Sequence, residues 1–210
     1  MSLSNIAYAA CSSCGKRNEI KIYKSINVSS DPDLKEKVRD GSLFVWECPE
    51  CGGLNLAKYE TLYHDPEKKL MIWLLPGGDL PESEMAAIMN HTSAMGDYTL
   101  RRVGDVTSLM EKVLIFDEGL DDRVIEMCKY VTRLELAEKG ADPDTPLHFY
   151  RSEGEKFLTL TFPENGRMNA CNVGFNVYED CRAILERNAE ALVTEGFARI
   201  DSTWIDSFIR

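Results

Sequence analysis

The spacing of apolar residues changes character along this chain. Up to about residue 75 it predicts short strands. Glu19 to Val28, rich in Ile, Tyr and Val, is the first. Asp31-Pro32 then opens a short helix, with Asp31 as its cap and Pro32 at its first position. Leu34 and Val38 give this helix one apolar face, and Gly41 ends it. Ser42 to Glu47, Leu54 to Tyr63 and Leu70 to Leu75 predict three more strands. A turn at His64-Asp65-Pro66-Glu67-Lys68 joins the last two, and Pro76-Gly77-Gly78 marks the expected domain boundary.

Past residue 79 the period is first helical. Pro81 to Ser93 predicts a helix and Tyr98 to Val103 a strand. Val106, Leu109, Met110, Val113 and Leu114 fall on one helical face. Gly119 ends that helix and Asp121 caps the next, with Leu120 placed to pack on Ile125. This next helix runs to about Lys139, with Val124, Ile125, Cys128 and Val131 inward. The short connection predicts an antiparallel helix pair. Leu147 to Tyr150, Lys156 to Phe162 and Met168 to Val177 then predict a strand meander, with Asn165-Gly166 as a hairpin turn. Tyr178, Cys181, Leu185, Ala189 and Leu192 mark a further helix. Phe197 to Ile200 reads as a short strand, and Ser202 or Thr203 as the cap of a final turn. This pattern gives no internal repeat.

Composition narrows the class. With 44% hydrophobic and 28% charged residues, the chain has the balance of a globular protein with a real core. No apolar run is long enough for a membrane-spanning helix. Met1 to Ala10 has no basic start and no apolar centre, so it does not read as an export leader. Seven cysteines, an odd number, favour a reducing cytoplasm over a disulfide framework. The net charge of −11 is uneven: residues 1–75 hold ten Lys+Arg and ten Asp+Glu, residues 76–210 hold fourteen and twenty-five. An acidic body repels phosphate backbones, which leaves any nucleic-acid contact to the neutral first part.

Cys11-Ser12-Ser13-Cys14-Gly15 and Cys48-Pro49-Glu50-Cys51-Gly52 are two metal knuckles. Two cysteines three apart can put both sulfurs on one ion if the chain between them turns tightly. The following glycine permits the left-handed backbone that closes the turn. Two such pairs supply four thiolates in a closed tetrahedral shell, which points to one structural zinc ion. Iron in the same shell stays open, and a redox disulfide lacks its strand-to-helix setting. The 33 residues between Cys14 and Cys48 accommodate the Asp31 to Asp40 helix.

These knuckles, with Tyr63-His64-Asp65-Pro66 before an apolar strand, resemble the CpXC-domain family over about residues 8–130. So does the stretch from Glu111-Lys112 through Gly119-Leu120-Asp121-Asp122-Arg123-Val124-Ile125-Glu126. One departure is Ser12, where the family name implies proline. The resemblance implies a bacterial metal-binding module and no reaction.

Other candidates have plainer readings. His64-Asp65 reads as a turn, not a catalytic pair. His91 and His148 are isolated. Cys128, Cys171 and Cys181 read as packing residues. Glu118, Asp121, Asp122 and Glu126 read as helix-capping acids before a cation site. Gly77-Gly78 has no lysine placed for a phosphate.

The expected fold is α+β. A zinc-ribbon-like antiparallel β domain with an inserted short helix spans residues 1–76. An acidic domain of a helix pair, an antiparallel meander and a helix spans 79–210. One structural Zn2+ on Cys11, Cys14, Cys48 and Cys51 is the expected cofactor, and no catalytic residue is assigned. The expected role is a cytoplasmic protein-interaction module with a protein partner and no membrane. Two readings stay open: an enzyme with its site in the C-terminal domain, and a ribbon touching nucleic acid through Lys16, Arg17, Lys21 and Lys24.

Overall fold

A computed structural model describes residues 1–78, 83, 96–164, 166–188 and 192–209. Apart from Ser83, the helix expected over 81–93, with His91, lies outside the described residues, as do Asn165 and Ala189. Among the described residues are five helices and ten strands, an α+β fold as expected.

The first strand is one that side-chain pattern does not announce. β1 (Leu3–Ala10) has no fully buried residue, so alternation leaves no trace in its sequence. Backbone pairing with β2 (Arg17–Asn27) holds it, antiparallel from Leu3↔Ser25 to Ala10↔Arg17. Helix α1 (Asp33–Arg39) follows, and Leu34 and Val38 are buried on it as expected. Asp31 does not cap α1: its carboxylate instead accepts from the Ser2 N–H at 2.8 Å. Gly41 ends this segment with φ +76°, where a Cβ would stand 2.9 Å from the Met110 sulfur.

The next two expected strands are each interrupted. Residues 42–44 form a 3-10 turn before β3 (Val45–Glu47), which pairs with β4 (Leu54–Leu56) in a small ribbon. Ala57 then donates to Phe44 O at 2.7 Å, and the chain leaves the ribbon before β5 (Thr61–Asp65). Two pieces of one apolar run thus serve two sheets. β5 pairs with β6 (Leu70–Leu74) antiparallel, and β7 (Thr99–Val103) completes a sheet of order β1-β2-β5-β6-β7. The pairings β2/β5 and β6/β7 are parallel, which corrects the antiparallel sheet expected. Each follows a long connection, and such connections can return a strand in its original direction.

The chain falls into two compact units. One comprises 1–110 with 196–198, the other 111–195 with 199–210, the division falling within helix α2 (Val106–Asp117). Five paired residues tie β7 to β6, so sequence beyond Gly78 belongs to the first sheet. Ile26, Val38, Phe44, Tyr63, Ile72, Leu74 and Leu109 are wholly buried in this unit.

The second unit contains α3 (Asp122–Glu138) and the meander β8 (His148–Ser152), β9 (Phe157–Glu164) and β10 (Arg167–Gly174). Helices α4 (Phe175–Arg187) and α5 (Ser202–Ile209) complete it. The meander is antiparallel, as expected. Ile125, Cys128, Leu158, Leu160, Leu185 and Ile205 form its core, with Cys181 buried among them and Cys171 packed against it. Asp121 caps α3 by accepting from the Arg123 N–H at 2.9 Å. Asp201, rather than Ser202 or Thr203, caps α5, accepting from the N–H groups of Thr203 and Trp204 at 3.0 and 3.3 Å.

A charged cluster is built into this second core. Lys112 meets Asp122 at 2.9 Å, and Lys129 meets Glu111 at 3.0 Å and Glu126 at 2.8 Å, all five side chains at most 8% exposed. The order of these contacts is that of an antiparallel helix pair. Asp122 and Glu126, expected as capping acids, are buried ion-pair members. Burial raises a carboxyl, and Glu126 is shifted up by it. At Glu111 burial is outweighed by Lys129, His148, Lys112 and the Phe149 N–H, which together hold it down to about 2. A depressed carboxyl stabilises the fold above its unfolded range, and that contribution fades as pH falls from 4.5 toward about 2.

Lys129→Met removes the ammonium that two buried carboxylates share and is expected to cost about 3–5 kcal/mol in urea unfolding at pH 7. The deficit should narrow in acid as Glu111 protonates. An unchanged midpoint at pH 7 would contradict the cluster's role.

Candidate metal centre

Cys11 to Cys14 closes the β1–β2 hairpin, and Cys48 to Cys51 joins β3 to β4. Both turns use the same backbone bonds. Gly15 N–H donates to Cys11 O at 2.9 Å and Cys11 N–H to Lys16 O at 2.9 Å. In the second, Gly52 N–H donates to Cys48 O at 2.8 Å and Cys48 N–H to Gly53 O at 2.9 Å. Gly15 and Gly52 sit at φ +72° and +70°, in the left-handed region that glycine adopts without strain. Ser12 in place of proline leaves this turn matching its partner.

The two turns converge. The four sulfurs of Cys11, Cys14, Cys48 and Cys51 all lie within 4.8 Å of one another. Cys11–Cys51 and Cys14–Cys48 are the close pairs, each at 3.7 Å. A tetrahedral ion with sulfur at about 2.3 Å has sulfur–sulfur edges of about 3.8 Å. A disulfide would need about 2.05 Å, and all four cysteines are free. The donor set therefore fits a tetrahedral metal ion. Cys11 and Cys48 are buried while Cys14 and Cys51 are exposed, so the site opens on the surface.

Two asparagines bind the sulfurs from outside. Asn18 Nδ2 lies 3.5 Å from Cys48 Sγ, and Asn55 Nδ2 lies 3.5 Å from Cys11 Sγ. Each asparagine follows its own knuckle and donates across to the other. Asn55 does more, accepting from Ser12 N–H at 2.8 Å and Ser12 Oγ at 2.9 Å while donating to Gly53 O at 2.8 Å. Sequence reasoning missed both, although a signal was present. Cys11-x-x-Cys14-Gly15-x-x-Asn18 and Cys48-x-x-Cys51-Gly52-x-x-Asn55 are one pattern written twice. An internal repeat thus exists, at the scale of eight residues.

Electrostatics agree with a cation-dependent cluster. The Cys14 backbone N–H is the largest influence holding Cys11 down at about 6, helped by Ser13 N–H and Asn55 against burial. Gly53 N–H favours the Cys51 thiolate, but three neighbouring sulfurs and burial outweigh it and push Cys51 to about 12. The first thiol ionises easily and the last does not until a cation offsets the charge.

Among the described residues, the other sequence candidates do not assemble into a site. His64 and Asp65 are consecutive strand residues, so their side chains take opposite faces of β5. His64 Nε2 lies 3.2 Å from Tyr98 Oη, and buried Asp65 pairs with Lys35 at 3.1 Å. Arg17 and Lys21 share a strand face with Glu19 between them, and Lys24 falls at the register irregularity opposite Leu3 and Ser4. His148 Nδ1 stands 3.5 Å from Glu111 in the buried cluster.

Asn55→Ala is expected to weaken metal binding by roughly 10–100-fold with stoichiometry kept, read by chelator competition. Unchanged affinity would show that the asparagine only packs.

No curated protein and no solved structure matches the chain. The family model described as CpXC protein matches residues 9–129, a span that contains both knuckles and both asparagines. With more than half of its 210 residues in that match, the chain belongs to the CpXC protein family.

Proposed function

We propose that this protein binds one structural zinc ion through Cys11, Cys14, Cys48 and Cys51, and that the ion shapes a protein-docking surface. The observation that carries this reading is the approach of two sulfur pairs, each 3.7 Å apart, from knuckles over thirty residues apart in sequence. Zinc suits four thiolates because it has no redox chemistry and no geometric preference of its own. A closed shell leaves no open position for substrate, so the ion's part is to hold two hairpin ends together.

The ribbon needs such a tie. β3 and β4 have three residues each, and Val45, Leu54 and Leu56 remain exposed. Little apolar burial is available there to offset ordering, and metal binding supplies it. The same exposure gives the surface its character. Grooves of about 280 and 240 Å³ are both lined in part by Trp46, between the β1–β2 hairpin and the ribbon. Apolar side chains grouped at a surface are a mark of interaction sites. The cytoplasm, where thiolates stay reduced, is the proposed compartment.

Elemental analysis of protein from its native host should find one zinc per chain, and Cys48→Ser should abolish it. Hydrogen exchange over residues 1–56 should accelerate in the variant. Full native protection in metal-free protein would overturn the structural role, and iron in the native-host protein would overturn the choice of metal.

A further inference from the structure

β1 is an edge strand. Among the described residues, no strand pairs with its outer side. Cys11 N–H donates to Lys16 O, so that pair is a hydrogen-bonded one. Alternation along the register then assigns Ala9, Ala7 and Asn5 to bonds with β2. Ala10, Tyr8, Ile6 and Ser4 direct their backbone N–H and C=O groups outward. The register irregularity falls between Leu3 and Ser4, which leaves Ser4 to Ala10 a regular run.

Such an edge is normally blunted by lysine, proline or a bulge. β1 has no lysine and no proline, and no charged residue occurs from Met1 to Gly15. The opposite edge of the sheet is different. β7 carries Arg101 and Arg102, and Ala198 O accepts from the Arg102 N–H at 3.0 Å. On β1, Ile6 and Tyr8 are each 62% exposed. Tyr8 is also held in place: its Oη donates to Glu19 at 2.7 Å, and the Arg17 guanidinium lies 5.9 Å from its ring.

We propose that β1 pairs with β1 of a second copy, antiparallel about a two-fold axis at Ala7, joining two five-stranded sheets into one. In this register Ile6 lies opposite Tyr8 of the second copy, and Ser4 opposite its Ala10. Cross-strand aromatic and β-branched residues are favourable partners. Ala7 meets its own counterpart in a narrow, non-hydrogen-bonded pair, where a small side chain fits. Charge selects the occupant. Two chains of net charge −11 repel each other, but the excess lies in residues 76–210. The uncharged edge is where two such copies can approach, and a symmetric strand needs no second complementary surface. Seven paired residues make a small interface, so the dimer should dissociate on dilution.

This inference rests on the docking role proposed above and names the partner. Sedimentation equilibrium of the zinc-loaded full chain should show a monomer–dimer equilibrium. Ile6→Pro removes an outward donor and spares the bonds to β2, so it should be monomeric with native circular dichroism and native metal content. Ala7→Cys should give a disulfide-linked dimer on mild oxidation, because its counterpart lies directly opposite, while wild type should not. A wild-type monomer at every concentration overturns the proposal, as does a dimer that survives Ile6→Pro. Metal content read on the same samples separates the two readings. A metal-loaded monomer sinks the self-pairing alone, and a metal-free dimer sinks the zinc assignment alone.

Discussion

Four sulfurs brought within 4.8 Å constrain the N-terminal part of this protein. Each knuckle closes a short β-hairpin that buries little by itself. Four thiolates that close repel one another unless a cation lies between them, and a cation held by all four would join hairpin to ribbon. The hydrogen bonds around the sulfurs are arranged with the same logic. Backbone N–H groups serve the turn in which they lie, and the two asparagine amides reach across to the other turn. The two halves therefore meet twice, where the four sulfurs converge and through Asn18 and Asn55.

The second unit solves a different problem with charge. Glu111, Lys112, Asp122, Glu126 and Lys129 are removed from water where two helices meet. Burying a lone charge there would be costly, and each acid has an ammonium within reach. Such a cluster adds little net stability over an apolar core of the same shape. What it imposes is register, because sliding one helix along the other would leave an ion unpaired.

These features were legible to different degrees. The four clustered cysteines stood out because metal coordination needs a fixed residue type at a fixed spacing, and that spacing is local. The α+β class, the helix pair, the Asp121 cap and the C-terminal meander also follow from local periodicity and turn chemistry. Asn18 and Asn55 were readable as well, but only by comparing the knuckles with each other. β1 gave no signal because its stability comes from backbone pairing, to which side-chain alternation is blind.

The sequence by itself determined the two cysteine pairs, the knuckle turns and most element types, since each depends on residues a few positions apart. Tertiary structure decided the rest. It made β2/β5 and β6/β7 parallel, split the run from Leu54 to Tyr63 between two sheets, and placed the division between compact units within α2. It also turned capping acids into buried ion-pair partners. Those outcomes rest on which distant segments share hydrogen bonds and a dry interior, and no local pattern specifies that choice.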